Sequence, residues 1–271
     1  MPILFDLENV SFDYDGIPAL TNLTLQIEAG QQVALLGANG SGKSTLLRLL
    51  DALYFPSTGS ITFNGEELSH ERLRQDDVSY AFRRRVALVF QNPDVQLFNP
   101  SVFDEVAYGP LQMEWPASQV RDRVNHTLDF MGIAHLRDRS PHRLSGGEKK
   151  RVALASAIVL DPDVLLLDEP TATLDPRSQS QVIDLLQEWR STSKTVITAT
   201  HQLDIVDDIA QSVVIMEAGR LAACGPPAEI LTRPDLLLKT NLVHAHRHAH
   251  HGMVHSHPHS HRHAHHDEHE H

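Results

Sequence analysis

Gln32-Val33-Ala34-Leu35-Leu36-Gly37-Ala38-Asn39-Gly40-Ser41-Gly42-Lys43-Ser44-Thr45 is the stretch whose reading decides the fold. Its first five residues form a short apolar run that ends at a glycine-rich turn, the signature of a buried strand. From Ser44 to Leu53 the leucines at 46, 47, 49, 50 and 53 fall on helical spacing. Between strand and helix, Gly37 to Ser44 fits the G-x-x-x-x-G-K-[ST] pattern of a phosphate loop in the context that the motif requires. The glycines let the backbone wrap phosphates closely, and the loop N–H groups with the helix N-terminus favour an anion. Lys43 is placed to reach the β- and γ-phosphates, and Ser44 to ligate Mg²⁺.

On the N-terminal side, residues 3–36 alternate apolar runs with turn residues, as a strand-rich start does. On the C-terminal side, Pro56 to Gly65 reads as a turn and strand and Val86 to Phe90 as a buried strand. Prolines at 93, 100, 110 and 116 then interrupt the pattern, and residues 119–131 are amphipathic with helical spacing. Residues 92–155 therefore read as a helical subdomain inserted in an α/β core. Beyond it, helix 148–160, strand 164–167, helix 178–189, strand 195–198 and a late strand at 213–216 continue the alternation. The expected fold is α/β: a mixed, mostly parallel sheet with flanking helices around a phosphate-loop core.

The composition is that of an ordinary globular protein, with 41% hydrophobic and 21% charged residues among 271. Twenty-three Lys and Arg face 35 Asp and Glu, a net charge of -12. So acidic a chain is no candidate for sequence-independent nucleic-acid binding. A single cysteine, Cys224, rules out an internal disulfide framework. The N-terminal residues lack the basic-then-apolar layout of a secretory signal, and no apolar run nears the ~20 residues of a membrane span. A membrane role has to come through a partner.

Two further motifs carry chemistry. Val164-Leu165-Leu166-Leu167-Asp168-Glu169 sets two carboxylates at the end of a buried strand. Beside a phosphate loop, Asp168 suits Mg²⁺ held through water and Glu169 suits a general base for the attacking water. Leu144-Ser145-Gly146-Gly147-Glu148 opens a helix with a hydroxyl and exposed N–H groups, a second anion site. One triphosphate needs only one site of each kind. The economical solution is a head-to-tail dimer, with each ATP clamped between one chain's loop and the other's Ser-Gly-Gly.

With these motifs the chain resembles the ATP-binding-cassette ATPases, the nucleotide-hydrolysing subunits of membrane transporters, over about residues 3–232. The motifs occur in the family's order: phosphate loop 37–45, Gln91, signature 144–148, Asp168-Glu169, Asp175 and His201. The resemblance implies that Tyr14 stacks on adenine and that Gln91 approaches Mg²⁺ and the attacking water while sensing the membrane partner. It implies further that His201 contacts the γ-phosphate and that Asp175 organises the facing subunit's site. Val89-Phe-Gln-Asn-Pro-Asp-Val-Gln-Leu-Phe98 and Val102-Phe-Asp-Glu-Val-Ala-Tyr-Gly-Pro110 resemble more narrowly the energy-coupling-factor importers, which include nickel, cobalt and vitamin transporters. The stretch lies where a transmembrane coupling helix would dock, so the implied location is the cytoplasmic face of the cell membrane.

Nineteen histidines are the anomaly, and fourteen lie between His244 and His271. His244, His246, His248, His250, His251, His255, His257, His259, His261, His263, His265 and His266 alternate with Ala, Arg, Ser and Pro rather than forming one block. Imidazoles at such density suit Ni²⁺, Co²⁺ or Zn²⁺. The expected organisation is an ATPase domain at 1–232, a linker at 233–243 and a disordered metal-binding tail at 244–271. Tail and coupling segment together favour nickel or cobalt over a vitamin as the imported substrate, with vitamin import and an incidental metal-buffering tail as the rival.

Overall fold

β1 (Ile3–Tyr14) and β2 (Ile17–Glu28) form an antiparallel hairpin. They are followed by β3 (Gln32–Leu36), α1 (Lys43–Leu50), β4 (Thr58–Phe63), β5 (Glu66–Glu67), α2 (Asp76–Arg85) and β6 (Val86–Val89). The helical insertion comprises α3 (Val102–Gln112), α4 (Ala117–Phe130) and α5 (Gly146–Ile158). The core resumes with β7 (Val164–Asp168), α6 (Pro176–Arg190), β8 (Thr195–Thr200), α7 (Val206–Ile209), β9 (Ser212–Glu217) and β10 (Arg220–Gly225). Then come α8 (Pro227–Ile230), α9 (Pro234–Lys239), β11 (His244–His250) and β12 (Met253–His259). This computed structural model describes residues 2–190, 192–250 and 253–259.

The main sheet runs β10-β9-β3-β8-β7-β6. It is parallel from β9 to β6, with β10 turned antiparallel at one edge. A smaller antiparallel sheet, β2-β1-β4-β5, lies against it. Because successive side chains point to opposite faces of a strand, β3 splits its residues between two cores. Val33 and Leu35 join the core holding α1 and the small sheet, with Leu46, Leu47, Leu49 and Leu50 at no more than 1% exposure. Ala34 and Leu36 join the other core, which holds α3 to α6. Fully buried strands often read as unbroken apolar runs, as β7 does from Val164 to Leu167, whereas the equally buried β8 carries three threonines.

Three stretches carry elements that the sequence pattern does not announce. α2 carries Asp76, Asp77 and three arginines, and it buries only Phe82, so it offers no clear apolar stripe. Residues 233–243 are not a loose linker: Pro234 starts α9, and Leu237 and Val243 are 6% and 8% exposed against the helical-side core. At the tail, β11 and β12 pair in antiparallel register, with His244 opposite His259, His246 opposite His257 and His248 opposite His255. The period-two alternation of histidine with smaller residues matches a strand's repeat. His251, His261, His263, His265 and His266 lie outside the described residues.

Candidate functional site

Open parallel sheets bind ligands beyond the carboxyl ends of their strands, and here β3, β6, β7 and β8 end in the phosphate loop, Gln91, Asp168-Glu169 and His201. The loop's shape depends on glycine at Gly42. Its φ is +104°, and a Cβ there would stand 2.9 Å from the Ala19 carbonyl. Lys43 is 6% exposed and donates to the carbonyls of Gly37 at 2.7 Å and Ala38 at 3.2 Å. Burial lowers its ammonium pKa, against the opposing pull of Glu169 and Asp168. Ser41 Oγ is buried without a hydrogen-bond partner among the described residues. Together with the N–H groups of Ala38, Asn39 and Gly40, the loop offers a set of donors for a polyphosphate.

Ser44 Oγ donates to Asp168 Oδ1 at 3.0 Å. A hydroxyl and a carboxylate beside a phosphate cradle are the hard-oxygen ligands that Mg²⁺ takes. The residues present fit that ion, with Gln91 as the third candidate at the end of β6.

Glu169 adopts φ +47° just beyond β7, uncommon for a residue with a Cβ. Its N–H donates to Ala199 O at 2.9 Å, which ties this turn to β8. Oε1 lies 2.9 Å from His201 Nδ1, while Oε2 is buried with no partner among the described residues. A buried, unpaired carboxylate oxygen next to a phosphate loop is an acceptor held ready for a proton. His201 is half exposed, so its other ring nitrogen remains open to a ligand.

Tyr14 sits beside the same loop. Its hydroxyl is 3.3 Å from Thr45 Oγ1 and accepts from Arg48 at 3.2 Å. Its ring meets Phe12 and Tyr54 edge-on, at 4.9 and 5.7 Å between centroids. This is an aromatic platform at the loop, of the kind on which any base can stack.

Ser145, Gly146, Gly147 and Asp175 form a second group. Ser145 Oγ accepts from Glu148 N at 3.3 Å, and Glu148 Oε2 accepts from Ser145 N at 2.8 Å, a reciprocal capping box. The hydroxyl proton stays available to an anion. Gly146 has open space around it among the described residues, whereas a Cβ on Gly147 would strike Ser178. Asp175 caps α6 through the N–H groups of Arg177 and Ser178 at 3.1 Å and the Ser178 hydroxyl at 2.6 Å. These hydrogen bonds hold its carboxyl below the usual range. α1 packs on one face of the main sheet and α5 on the other. The helix that follows the phosphate loop and the helix that Ser145 caps therefore pack on opposite faces of the main sheet.

Three side chains that the sequence reading passed over bind α5 to the segment after β6. Lys149 Nζ meets Asp94 Oδ1 at 2.7 Å. Lys150 donates to the carbonyls of Phe90 at 3.0 Å and Gln91 at 2.9 Å. Gln96 donates to Ala153 O at 3.0 Å. Lys150 is 1% exposed, and burial brings its ammonium pKa down to about 8. Lys149-Lys150-Arg151 reads as a solvated basic run. Only helical phase, which puts Lys150 on the stripe of Gly147 and Leu154, marks the middle cation as internal.

A family model described as ABC transporter matches residues 20–172. The nickel import ATP-binding protein NikO of Rhodobacter capsulatus is 53% identical over 242 residues, covering 88% of this chain and 95% of its own length. The energy-coupling factor transporter ATP-binding protein EcfA2 of Methanospirillum hungatei is 39% identical, covering 89% of this chain and 60% of its own length. Among solved structures, CbiO1 from Clostridium perfringens, described as part of the ABC transporter complex cbiONQ, superposes with a TM-score of 0.75. It is 37% identical, covering 89% of this chain and 96% of that one.

Proposed function

The chain belongs to the ABC transporter family as one of its ATPases, and from that premise we propose that it powers import of nickel or cobalt ions in an energy-coupling-factor-type transporter. The observation that carries the choice of substrate is the 53% identity to a nickel import ATPase along 95% of that protein's length. The histidine-rich tail points the same way, as a segment able to hold Ni²⁺, Co²⁺ or Zn²⁺ on the cytoplasmic side.

In this reading the phosphate loop, Tyr14 and Thr45 bind ATP. Ser44, Asp168 and Gln91 would hold Mg²⁺, which would neutralise phosphate charge. Lys43 exchanges the carbonyls of Gly37 and Ala38 for phosphate oxygens. Glu169 Oε2 takes a proton from water as the water oxygen attacks the γ-phosphorus. The bond to the bridging oxygen breaks in line, and ADP and phosphate leave. His201 fixes Glu169 through Oε1 and turns its free ring nitrogen toward the γ-phosphate. The separation of α1 and α5 by the sheet supports closure by a second chain, whose Ser145, Gly146, Gly147 and Asp175 complete each site.

The membrane subunits dock on the helical subdomain. Val95 and Phe98 are 68% and 61% exposed, and Phe98 is stacked edge-on against Tyr108 at 5.0 Å. Buried Glu105 holds this turn by accepting from Phe98 N and Asn99 N at 2.9 and 2.7 Å. A separate cleft of about 310 Å³ is lined by Tyr80, Arg84 and the end of α3 through Trp115. Among the described residues no helix is long and apolar enough to cross a membrane. Attachment to the cytoplasmic face through those subunits is the corresponding arrangement. The test is ATP hydrolysis by the reconstituted transporter: stimulation by Ni²⁺ or Co²⁺ is expected, and stimulation by a vitamin alone would transfer the chain to vitamin import.

A further inference from the structure

Lys150 is a buried cation with no evident part in binding nucleotide. Burying an ammonium costs several kcal/mol unless it is fully hydrogen-bonded, and an apolar residue would fill the same helical position without that cost. Its two acceptors are the carbonyls of Phe90 and Gln91 at 3.0 and 2.9 Å, the point where β6 delivers Gln91 to the chain's own ATP site. Lys150 also stands one helical turn after Gly146 and Gly147, which face a partner's nucleotide in the dimer reading. The Lys149–Asp94 and Gln96–Ala153 contacts fasten the following residues to the same helix.

We propose that Lys150 is a positioning residue that couples the two ATP sites of the dimer, moving Gln91 in one site as the start of α5 engages the nucleotide of the other. This rests on the dimer reading above. A helix is stiff over a single turn, so a displacement of its N-terminus reaches Lys150 nearly undiminished. Two carbonyls gripped by one ammonium then pass it to the strand end. Coupling of this kind makes occupancy of one site favour the productive geometry of the other, which appears as positive cooperativity.

The test compares the full-length chain with Lys150→Met, which keeps the volume and removes the donors, and with Lys150→Arg, which keeps charge and donors. Steady-state ATP hydrolysis is measured against ATP concentration, and ATP-driven dimerisation is followed separately by light scattering in a Glu169→Gln background. We expect a wild-type Hill coefficient above about 1.5, falling to about 1 in Lys150→Met and recovering in Lys150→Arg, with dimerisation retained in all three. Turnover should fall about tenfold in Lys150→Met, with half-saturating ATP changed less than about twofold. A merely structural lysine would lower the melting temperature without altering the Hill coefficient, and that result overturns the proposal. So does a wild-type Hill coefficient of 1 with dimers present, which leaves the dimer reading intact. Absence of ATP-driven dimers in every chain overturns both.

Discussion

His201 Nδ1 and Glu169 Oε1 lie 2.9 Å apart, so that one oxygen of the carboxylate is held and the other, buried, has no partner among the described residues. In the proposed mechanism the two oxygens have separate tasks: one fixes the group, and the other takes a proton. Glu169→Gln keeps the shape and loses the acceptor. ATP binding should remain while hydrolysis falls by about 10²-fold or more, the usual scale of general-base loss. Single-turnover kinetics with labelled ATP check this, and near-normal hydrolysis would remove Glu169 from the role of base.

The two signature glycines should behave differently when given a methyl group. Gly146 has room among the described residues, while a Cβ on Gly147 collides with Ser178 beside Asp175. Gly146→Ala should keep the wild-type melting temperature yet weaken ATP-driven dimerisation, because the methyl would fill space reserved for the partner's phosphate. Gly147→Ala should cost about 1–3 kcal/mol of stability through overpacking. Equal melting curves for the two variants would contradict this placement.

Asp51 gives the fold a pH dependence. It is 6% exposed at the end of α1, and Arg83 donates to its carbonyl at 2.6 Å and to Oδ2 at 3.2 Å. Burial outweighs Arg83 and raises the carboxyl pKa from 3.8 to about 7. Between those values the folded chain holds a proton that the unfolded chain has released. Stability therefore falls as pH rises through this window and is level above it. Asp51→Asn lacks this slope and should gain about 2–3 kcal/mol on the wild type between pH 5 and pH 8. Urea unfolding at the two pH values measures it, and parallel behaviour would contradict it.

Two truncations separate tail from domain. Removing residues 244–271 should leave ATP hydrolysis within about twofold and abolish most Ni²⁺ binding by the free chain, since imidazole-rich tracts hold such ions. Removing 233–271 also strips Leu237 and Val243 from the core. That should lower stability by several kcal/mol, at about 1.5–3 for each buried aliphatic side chain. Calorimetry and metal titration check the pair.

These expectations show what the sequence made legible. β3, the phosphate loop and α1 could be read directly, because a buried strand, a glycine loop and a leucine stripe are all local patterns. Asp168, Glu169 and His201 could be placed at strand ends for the same reason. The α1 and α5 starts could each be located as a glycine-rich helix opening, but the packing of these helices on opposite faces of a sheet depends on the strand order β3-β8-β7-β6, a tertiary fact. Lys150 stayed hidden inside a basic run because its burial is decided by what packs over α5. α9 is hard to read because its three leucines follow a proline near the end of the folded sequence, and only Leu237 is buried, against a core gathered from distant parts of the chain.

The central claim is that hydrolysis at Glu169 drives entry of nickel or cobalt. Uptake of radiolabelled Ni²⁺ and Co²⁺ by cells carrying the complete transporter, with the wild-type chain or with Glu169→Gln, tests it most directly. At least one of the two metals should accumulate with the wild-type chain, and the substitution should abolish that accumulation. Equal accumulation with and without Glu169, or none of either metal, would contradict it.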